Sequence, residues 1–286
     1  MDITGKTVVT GVFGWPVRHS LSPVFQNAAF RHCGLDFVYI PLAVEPAGLR
    51  DAVEGIRAMN ILGMNITIPH KKAVIHFLDG IDSEAEMLGA VNTISNVNGK
   101  LEGAITDGQG FIRSLTEDGN FRPEGERFFI LGAGGSAYAI SGSLAVAGAG
   151  SILICNRTYR KAEALKRHLQ DNFGFTEVEA VRFEHRNDKA VWREQGVIVN
   201  TTSVGMQDED PLLLDKENIS QARFVYDIVY NRETRLIKVS RELGISNLNG
   251  FSMLLYQGAV SFAIWTGVEA PVDVMKKSLE PYGIFC

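Results

Sequence analysis

Along the first third of the chain, apolar runs and turn residues alternate in a pattern that predicts strand, helix, strand, helix, strand. TVVTGVFG (7–14) is rich in β-branched residues and ends on a glycine, which reads as a strand. SPVFQNAAFRHCG (22–34) has helical spacing, with Ser22 as N-cap, Pro23 at the first helical position and Gly34 past the end. DFVYIPLAV (36–44) reads as a second strand, PAGLRDAVEGIRAMNI (46–61) as an amphipathic helix and GMNITI (63–68) as a third strand. This order predicts an α/β layer with parallel pairing.

The composition turns polar and turn-rich at TEDGNFRPEGER (116–127), a candidate domain boundary. Beyond it, RFFILGAGGSAYAISGSLAVAGAGSILICNRT (127–158) reads as a strand, a glycine turn, a small-residue helix and a second strand, one βαβ unit. Further strands are expected at VIVNTTSVG (197–205) and FVYDIVY (224–230), and a long apolar helix at SMLLYQGAVSFAIWTG (252–267). No internal repeat or low-complexity segment stands out.

GAGGSA fits G-x-G-x-x-A at Gly132, Gly134 and Ala137. Alone the pattern is weak. Here it follows an apolar strand and opens a helix, the context in which glycines let the backbone approach a pyrophosphate and the helix N-terminus offers free N–H groups. An NAD site would carry an acid at the end of the next strand, to bind the ribose hydroxyls. This chain has Asn156 and Arg157 there, with Arg160 and Lys161 one turn on. A guanidinium grips a 2′-phosphate that a carboxylate would repel, so NADP is expected rather than NAD.

In NITIPHKK (65–72), period two puts Asn65 and Thr67 on one face and Ile66 and Ile68 on the other. Pro69 suits the first turn of a helix over HKKAVIHFLD (70–79). At about 100° per residue, Lys71 lies within the apolar face of that helix and Lys72 opposite. An inward ammonium at a positive helix end is disfavoured by desolvation and by the dipole, which suits a proton shuttle. The spacing fits a lysine snorkelling over apolar surface just as well. Ser20 and Ser22 share one direction, as Asn65 and Thr67 do. Asn92, Thr93, Thr106 and Asp107 lie near strand ends, and on pattern alone Asp107-Gly108 reads as a turn.

Charge and cysteine usage narrow the classes. A net charge of −5 with no basic run argues against nucleic acid or anionic membranes as partners. Cys33, Cys155 and Cys286 are far apart, and no metal-ligand cluster is evident. With no secretory leader and no apolar run near the ~20 residues of a membrane span, a reduced, metal-free cytoplasmic protein is expected.

Taken together, HSLSP (19–23), NITIPHK (65–71), GAVNT (89–93), TDG (106–108), GAGGSA (132–137), NRT (156–158), NTTSVGM (200–206), DIVY (227–230) and NGFSMLLYQG (249–258) resemble the shikimate dehydrogenase family over nearly the whole chain. The resemblance implies a two-domain α/β fold. Residues 1–113 with 251–286 would form a substrate domain completed by C-terminal helices, and 114–250 a Rossmann NADP-binding domain. It implies NADPH-dependent, reversible reduction of 3-dehydroshikimate to shikimate. Lys71 would be the catalytic lysine and Asp107 its partner. Substrate contacts would fall on Ser20, Ser22, Thr67, Lys71, Asn92, Asp107, Tyr230 and Gln257. Cofactor contacts would fall on Gly132, Ala133, Gly134, Gly135, Ser136, Asn156, Arg157, Thr158, Lys161, Met206, Ile228 and Gly250.

The sequence departs from the family pattern at Gln26-Asn27, Ile105, Tyr138 and Arg232, where the family usually has His-Asn, Asn, Arg and Pro. Expected partners are a small-molecule substrate and NADP, in a monomer or homodimer. Quinate/shikimate and aminoshikimate dehydrogenases share these motifs. A ligand-sensing regulator on the same fold would need no proton shuttle, and so no Lys71–Asp107 pair.

Overall fold

The computed structural model describes residues 3–192 and 196–282; Cys286 lies outside them. The chain divides into two compact units. The first comprises residues up to Gly110 and resumes at Leu255, and the second runs from Phe111 to Leu254. Crossings were expected after 113 and after 250; the units change instead after Gly110 and after Leu254, inside two continuous helices, α4 (Asp107–Arg113) and α9 (Phe251–Thr266). No break in composition marks either one.

In the first unit, β1 (Val8–Gly14), α1 (Ser22–His32), β2 (Phe37–Ala43), α2 (Leu49–Ala58) and β3 (Gly63–Ile66) follow in the expected order. They are succeeded by β4 (Gly80–Ile81), α3 (Ser83–Leu88), β5 (Thr93–Val97) and β6 (Lys100–Ala104). The six-stranded sheet has the order β2-β1-β3-β5-β6-β4. β1 pairs in parallel with β2 and β3, whereas β5 runs antiparallel to both β3 and β6. Aromatic side chains fill the layer between the sheet and its helices. Phe30 of α1 stacks on Phe262 of α9 with centroids 5.2 Å apart, and the Trp265 indole donates to the Ile94 carbonyl at 3.0 Å. α10 (Val272–Leu279) packs against α1.

Three local expectations change. Ser22 is the first helical residue rather than the cap; Leu21 occupies that position. The helix expected over 70–79 is absent. Ile68–Pro69 is cis, residues 68–69 and 71–72 form turns, and only a 3₁₀ segment follows at Ala73–Phe77. Ala73, which helical spacing put on the apolar face, is exposed. Lys71 therefore owes nothing to a helix dipole. Finally, Asp107 is not in a turn but begins α4.

The second unit is a doubly wound sheet. β7 (Arg127–Leu131), α5 (Gly135–Val146), β8 (Ser151–Asn156), α6 (Tyr159–Phe173) and β9 (Val178–Arg182) form one half. β10 (Val197–Asn200), α7 (Lys216–Ile219), β11 (Phe224–Asp227), α8 (Arg235–Glu242) and β12 (Ser246–Asn249) form the other. All strands are parallel, in the order β12-β11-β10-β7-β8-β9. One face buries Ala137, Ile140, Leu144, Ala162, Leu165 and Leu169 from α5 and α6. The other buries Ile219, Leu236, Ile237 and Val239 from α7 and α8. With both faces covered, the strands read as near-continuous apolar runs, as RFFIL does. β10 ends at Asn200, so TTSVG is loop rather than the continuation of a strand. Strand order reverses between β7 and β10, where open α/β sheets leave a crevice at the carboxyl ends of their strands.

Among the described residues, no helix is long and apolar enough to cross a membrane.

Candidate active site

Each unit carries one cluster of the expected site residues. In the first, the turn after β3 and the start of α4 bring Lys71 and Asp107 together. Lys71 Nζ donates to Asp107 Oδ2 at 2.5 Å. The Lys71 side chain is 28% exposed and that of Asp107 11%, so the pair faces outward from a mostly buried base. Lys72 is exposed.

Asn92, just before β5, holds this pair. Its amide donates to Asp107 Oδ1 at 2.9 Å and to Thr106 Oγ1 at 3.0 Å, and its carbonyl accepts from the Thr106 N–H at 2.8 Å. Gln257 Oε1 lies 3.4 Å from the Asn92 amide. Backbone bonds reinforce the arrangement, since Val91 N–H donates to the Lys71 carbonyl at 2.8 Å. Asn92, Asp107, Lys71 and Gln257 thus converge on one place, as the sequence motifs anticipate.

Two residues that local pattern did not single out brace it. His70 is buried, and its Nε2 lies 2.7 Å from the Val44 carbonyl, which ties the residue before Lys71 to the end of β2. Because a carbonyl only accepts, this contact fixes the proton on Nε2. Tyr39 is fully buried, which pushes its phenol above the usual range, and its hydroxyl donates to Asn65 Oδ1 at 2.8 Å. Asn65 Nδ2 in turn donates to Ser261 Oγ at 2.9 Å, Thr93 Oγ1 at 3.1 Å and the Asn92 carbonyl at 3.1 Å. Asn65 is therefore a brace bonded to protein groups, although it shares a face with half-buried Thr67.

Ser20 Oγ accepts from the Ser22 N–H at 3.3 Å. A buried chain of hydrogen bonds links Tyr39, through Asn65, to Asn92. Tyr39→Phe leaves a buried amide oxygen without its donor. It should cost about 1–3 kcal/mol in urea unfolding, read as a lower midpoint at unchanged slope.

Gln26 and Asn27, where the sequence departs from the family pattern, serve packing. Gln26 Nε2 donates to the Gly258 carbonyl at 2.9 Å, and Asn27 pairs with the Tyr39 backbone through both its amide and its carbonyl. Ile105 is buried beside Thr106.

The second cluster lies at the switch point of the other unit. A cavity of about 390 Å³ is lined by Gly132, Ala133, Gly134, Asn156, Arg157 and Lys161 of the expected cofactor set. Gly135 and Ser136 form the first turn of α5, and Thr158 caps α6. Met206, Ile228, Tyr230 and Gly250 sit on loops of the same unit outside the cavity lining. Thr201, Thr202, Ser203 and Phe183 line it without having been expected. Their signal was available: a polar run directly after a buried strand, and an aromatic just past another, are where an α/β crevice draws its walls.

The cavity fits a dinucleotide phosphate. Gly132 has φ +114°, and a β-carbon there would come within 2.5 Å of Thr201 Oγ1, so only glycine makes this turn. A β-carbon on Gly134 or Gly135 would meet nothing within 4 Å, which leaves the open side of the turn clear. No side chain caps the N-terminus of α5, which leaves its first N–H groups available to a ligand. Arg157 and Lys161 are exposed at the mouth and paired with no acid among the described residues.

The remaining departures are accounted for locally. Tyr138 packs its ring on His168 of α6, with centroids 4.9 Å apart. Arg232 donates to the Met206 carbonyl at 3.2 Å and pairs with Asp208, so a charged strap spans the loop where a proline is usual. Gly250 is held against the Ile228 backbone, where a β-carbon would lie 1.9 Å from the carbonyl oxygen.

Comparison with known proteins places the chain beside one family. The family model for the shikimate dehydrogenase substrate binding domain matches residues 12–94, and that for the shikimate 5'-dehydrogenase C-terminal domain matches 250–280. A shikimate dehydrogenase (NADP(+)) of Geobacter metallireducens is 46% identical, with 97% of each chain covered. The crystal structure of shikimate dehydrogenase from Aquifex aeolicus superposes with a TM-score of 0.87 at 39% identity, covering 97% of this chain and 99% of that one. The enzyme from Listeria monocytogenes, in complex with shikimate and NAD, gives 0.89 at 38% identity and 98% of each chain.

Proposed function

The chain belongs to the shikimate dehydrogenase family, and from that membership we propose that it catalyses the reversible, NADPH-dependent reduction of 3-dehydroshikimate to shikimate. The first unit supplies the substrate contacts other than Tyr230, and the second takes the dinucleotide. What carries the reading is the Lys71–Asp107 contact at 2.5 Å, backed by buried Asn92. A proton donor held by a carboxylate is the apparatus a carbonyl reduction needs, and a pure ligand sensor has no use for it.

NADPH, when bound, supplies the hydride. The residues of this chain do the rest. As the substrate carbonyl carbon is reduced, Lys71 Nζ passes a proton to the oxygen; in the oxidative direction the neutral amine takes the hydroxyl proton back. Asp107 balances the ammonium charge, orients Lys71 and accepts a hydrogen from a substrate hydroxyl. Asn92 fixes the carboxylate through Oδ1, which leaves Oδ2 for the lysine. Ser20, Ser22, Thr67, Gln257 and Tyr230 supply hydroxyl and amide groups suited to a polyhydroxylated ring carboxylate. Burial raises the Tyr230 phenol above its usual range, so it acts as a neutral donor.

The dinucleotide is held by the turn from Gly132 to Ser136 and by Asn156, Arg157, Thr158 and Lys161. Met206, Ile228 and Gly250 shape its far end. Arg157 in place of an acid selects the 2′-phosphate. A reducing cytoplasmic setting suits the free thiols of Cys33 and Cys155.

Steady-state assays with shikimate and quinate, each with NADP⁺ and NAD⁺, test the assignment. Shikimate with NADP⁺ should give the highest kcat/KM of the four combinations. A higher value for quinate with NAD⁺ would overturn it.

A further inference from the structure

β11 ends on a buried carboxylate to which the proposed chemistry gives no part. Asp227 is 0% exposed. It accepts from Asn200 Nδ2 at 2.9 Å and the Val229 N–H at 3.1 Å on one oxygen, and from Thr234 Oγ1 at 2.7 Å on the other. Burial still outweighs these bonds and pushes its carboxyl up to about 6. An ionised group held this way at neutral pH is a costly means of ending a strand, because apolar residues of similar size fill such a position at less expense.

Its partners show where that cost is used. Asn200, the last residue of β10, receives Asp227 on its amide and relays the constraint. The same amide donates to the Val204 carbonyl at 3.0 Å, and the Asn200 carbonyl accepts from the Thr202 N–H at 3.0 Å and Thr202 Oγ1 at 2.7 Å. Thr202 Oγ1 in turn accepts from the Val204 N–H at 3.1 Å. An amide side chain can satisfy these donors and acceptors in only one orientation, and the carboxylate dictates which: Asp227 has no hydrogen to give, so the NH₂ of Asn200 must face it. That choice sets the path of residues 201–204, which form one wall of the 390 Å³ cavity.

We propose that Asp227, acting through Asn200, is a positioning residue for the nucleotide, holding the Thr201–Val204 wall in its binding shape. The proposal rests on the reading of this cavity as the NADP(H) site.

Fluorescence titration with NADP⁺, beside calorimetric titration with shikimate alone, separates positioning from general stability. Asp227→Ala should weaken NADP⁺ binding by about 10- to 100-fold. Shikimate binding should fall by no more than a few-fold, since its proposed contacts other than Tyr230 lie in the other unit. Asp227→Asn keeps an oxygen for Asn200 and Val229 and can offer its amide to Thr234, so it should recover affinity to within about three-fold of wild type.

Thr202→Val leaves Asp227 and its buried partners in place and removes only the two bonds of the Thr202 hydroxyl, to Asn200 Oδ1 and from the Val204 N–H. It should weaken NADP⁺ about 3- to 10-fold, and Thr202→Ser should restore it. This pair carries the test if Asp227→Ala does not fold. Unchanged NADP⁺ affinity in Thr202→Val, or equal loss of both ligands in Asp227→Ala, would overturn the positioning role. A wild-type chain that bound no NADP⁺ would instead sink the nucleotide reading itself, and the positioning role with it.

Discussion

Lys71→Ala should lower kcat for shikimate oxidation by about three orders of magnitude while moving KM only a few-fold, because a general acid–base group acts on the transition state more than on the bound ground state. Lys72→Ala should leave both constants within about two-fold, as expected for an exposed side chain outside the site. The contrast between neighbours isolates chemistry from local charge, since each variant removes one ammonium from the same turn.

Removing Lys71 also strands Asp107, whose side chain is only 11% exposed. A carboxylate left without its counter-charge in a partly buried place should cost about 1–3 kcal/mol of stability. The double variant Lys71→Ala, Asp107→Asn should regain most of that stability and none of the activity. Full activity in Lys71→Ala, or comparable kcat losses at Lys71 and Lys72, would remove the lysine from the mechanism.

The distinction between these lysines shows how sequence and structure divide the work. Helical periodicity turned Lys71 inward and Lys72 outward, and the structure leaves Lys71 half-buried and Lys72 exposed, yet the helix behind the inference does not form. What holds Lys71 inward is Asp107, met across 36 positions, together with the Val91 bond to its carbonyl and the His70 anchor. Asp107, Val91 and the Val44 carbonyl that anchors His70 all lie far outside a window of a few residues.

Asn65 makes the same point from the other side. Strand alternation put it on the face of Thr67 without saying whether that face met ligand or protein. The answer lies in Tyr39 and Ser261, 26 and 196 positions away. Where the determinants are local, the pattern suffices: β1, α1, β2, α2 and β3 follow their periodicity, and the glycine turn after β7 stands where its motif requires. The shortfall is at strand ends, as in TTSVG, where a polar alternation that could continue β10 instead wraps around Asn200 as loop. Domain crossings were hidden for a related reason. They lie within helices, and a helix carries no compositional mark of the domain that each end serves.

Replacing Arg157 should change cofactor choice more than it changes catalysis. Arg157 is exposed at the end of β8, on the rim of the cavity, and can turn its guanidinium toward a 2′-phosphate with paired, charge-assisted hydrogen bonds. Such bonds are worth about 1.5–3 kcal/mol, or roughly 10- to 100-fold. Arg157→Ala should therefore lower kcat/KM with NADP⁺ by about that factor, mostly through KM, and leave the value with NAD⁺ nearly unchanged. Lys161 contributes a second, mobile point charge, so Lys161→Ala should show the same selectivity at smaller size. Arg157→Asp goes further: the carboxylate repels the phosphate and accepts from the ribose hydroxyls of NAD⁺, so the NADP⁺/NAD⁺ preference should shift by about 10³. Salt supplies an independent reading. Raising ionic strength from about 0.05 to 0.5 M should raise the KM for NADP⁺ in the wild type and do so much less in Arg157→Ala, because the screened contact is then gone. Equal losses with both cofactors in Arg157→Ala would mean that the arginine shapes the pocket without reading the phosphate.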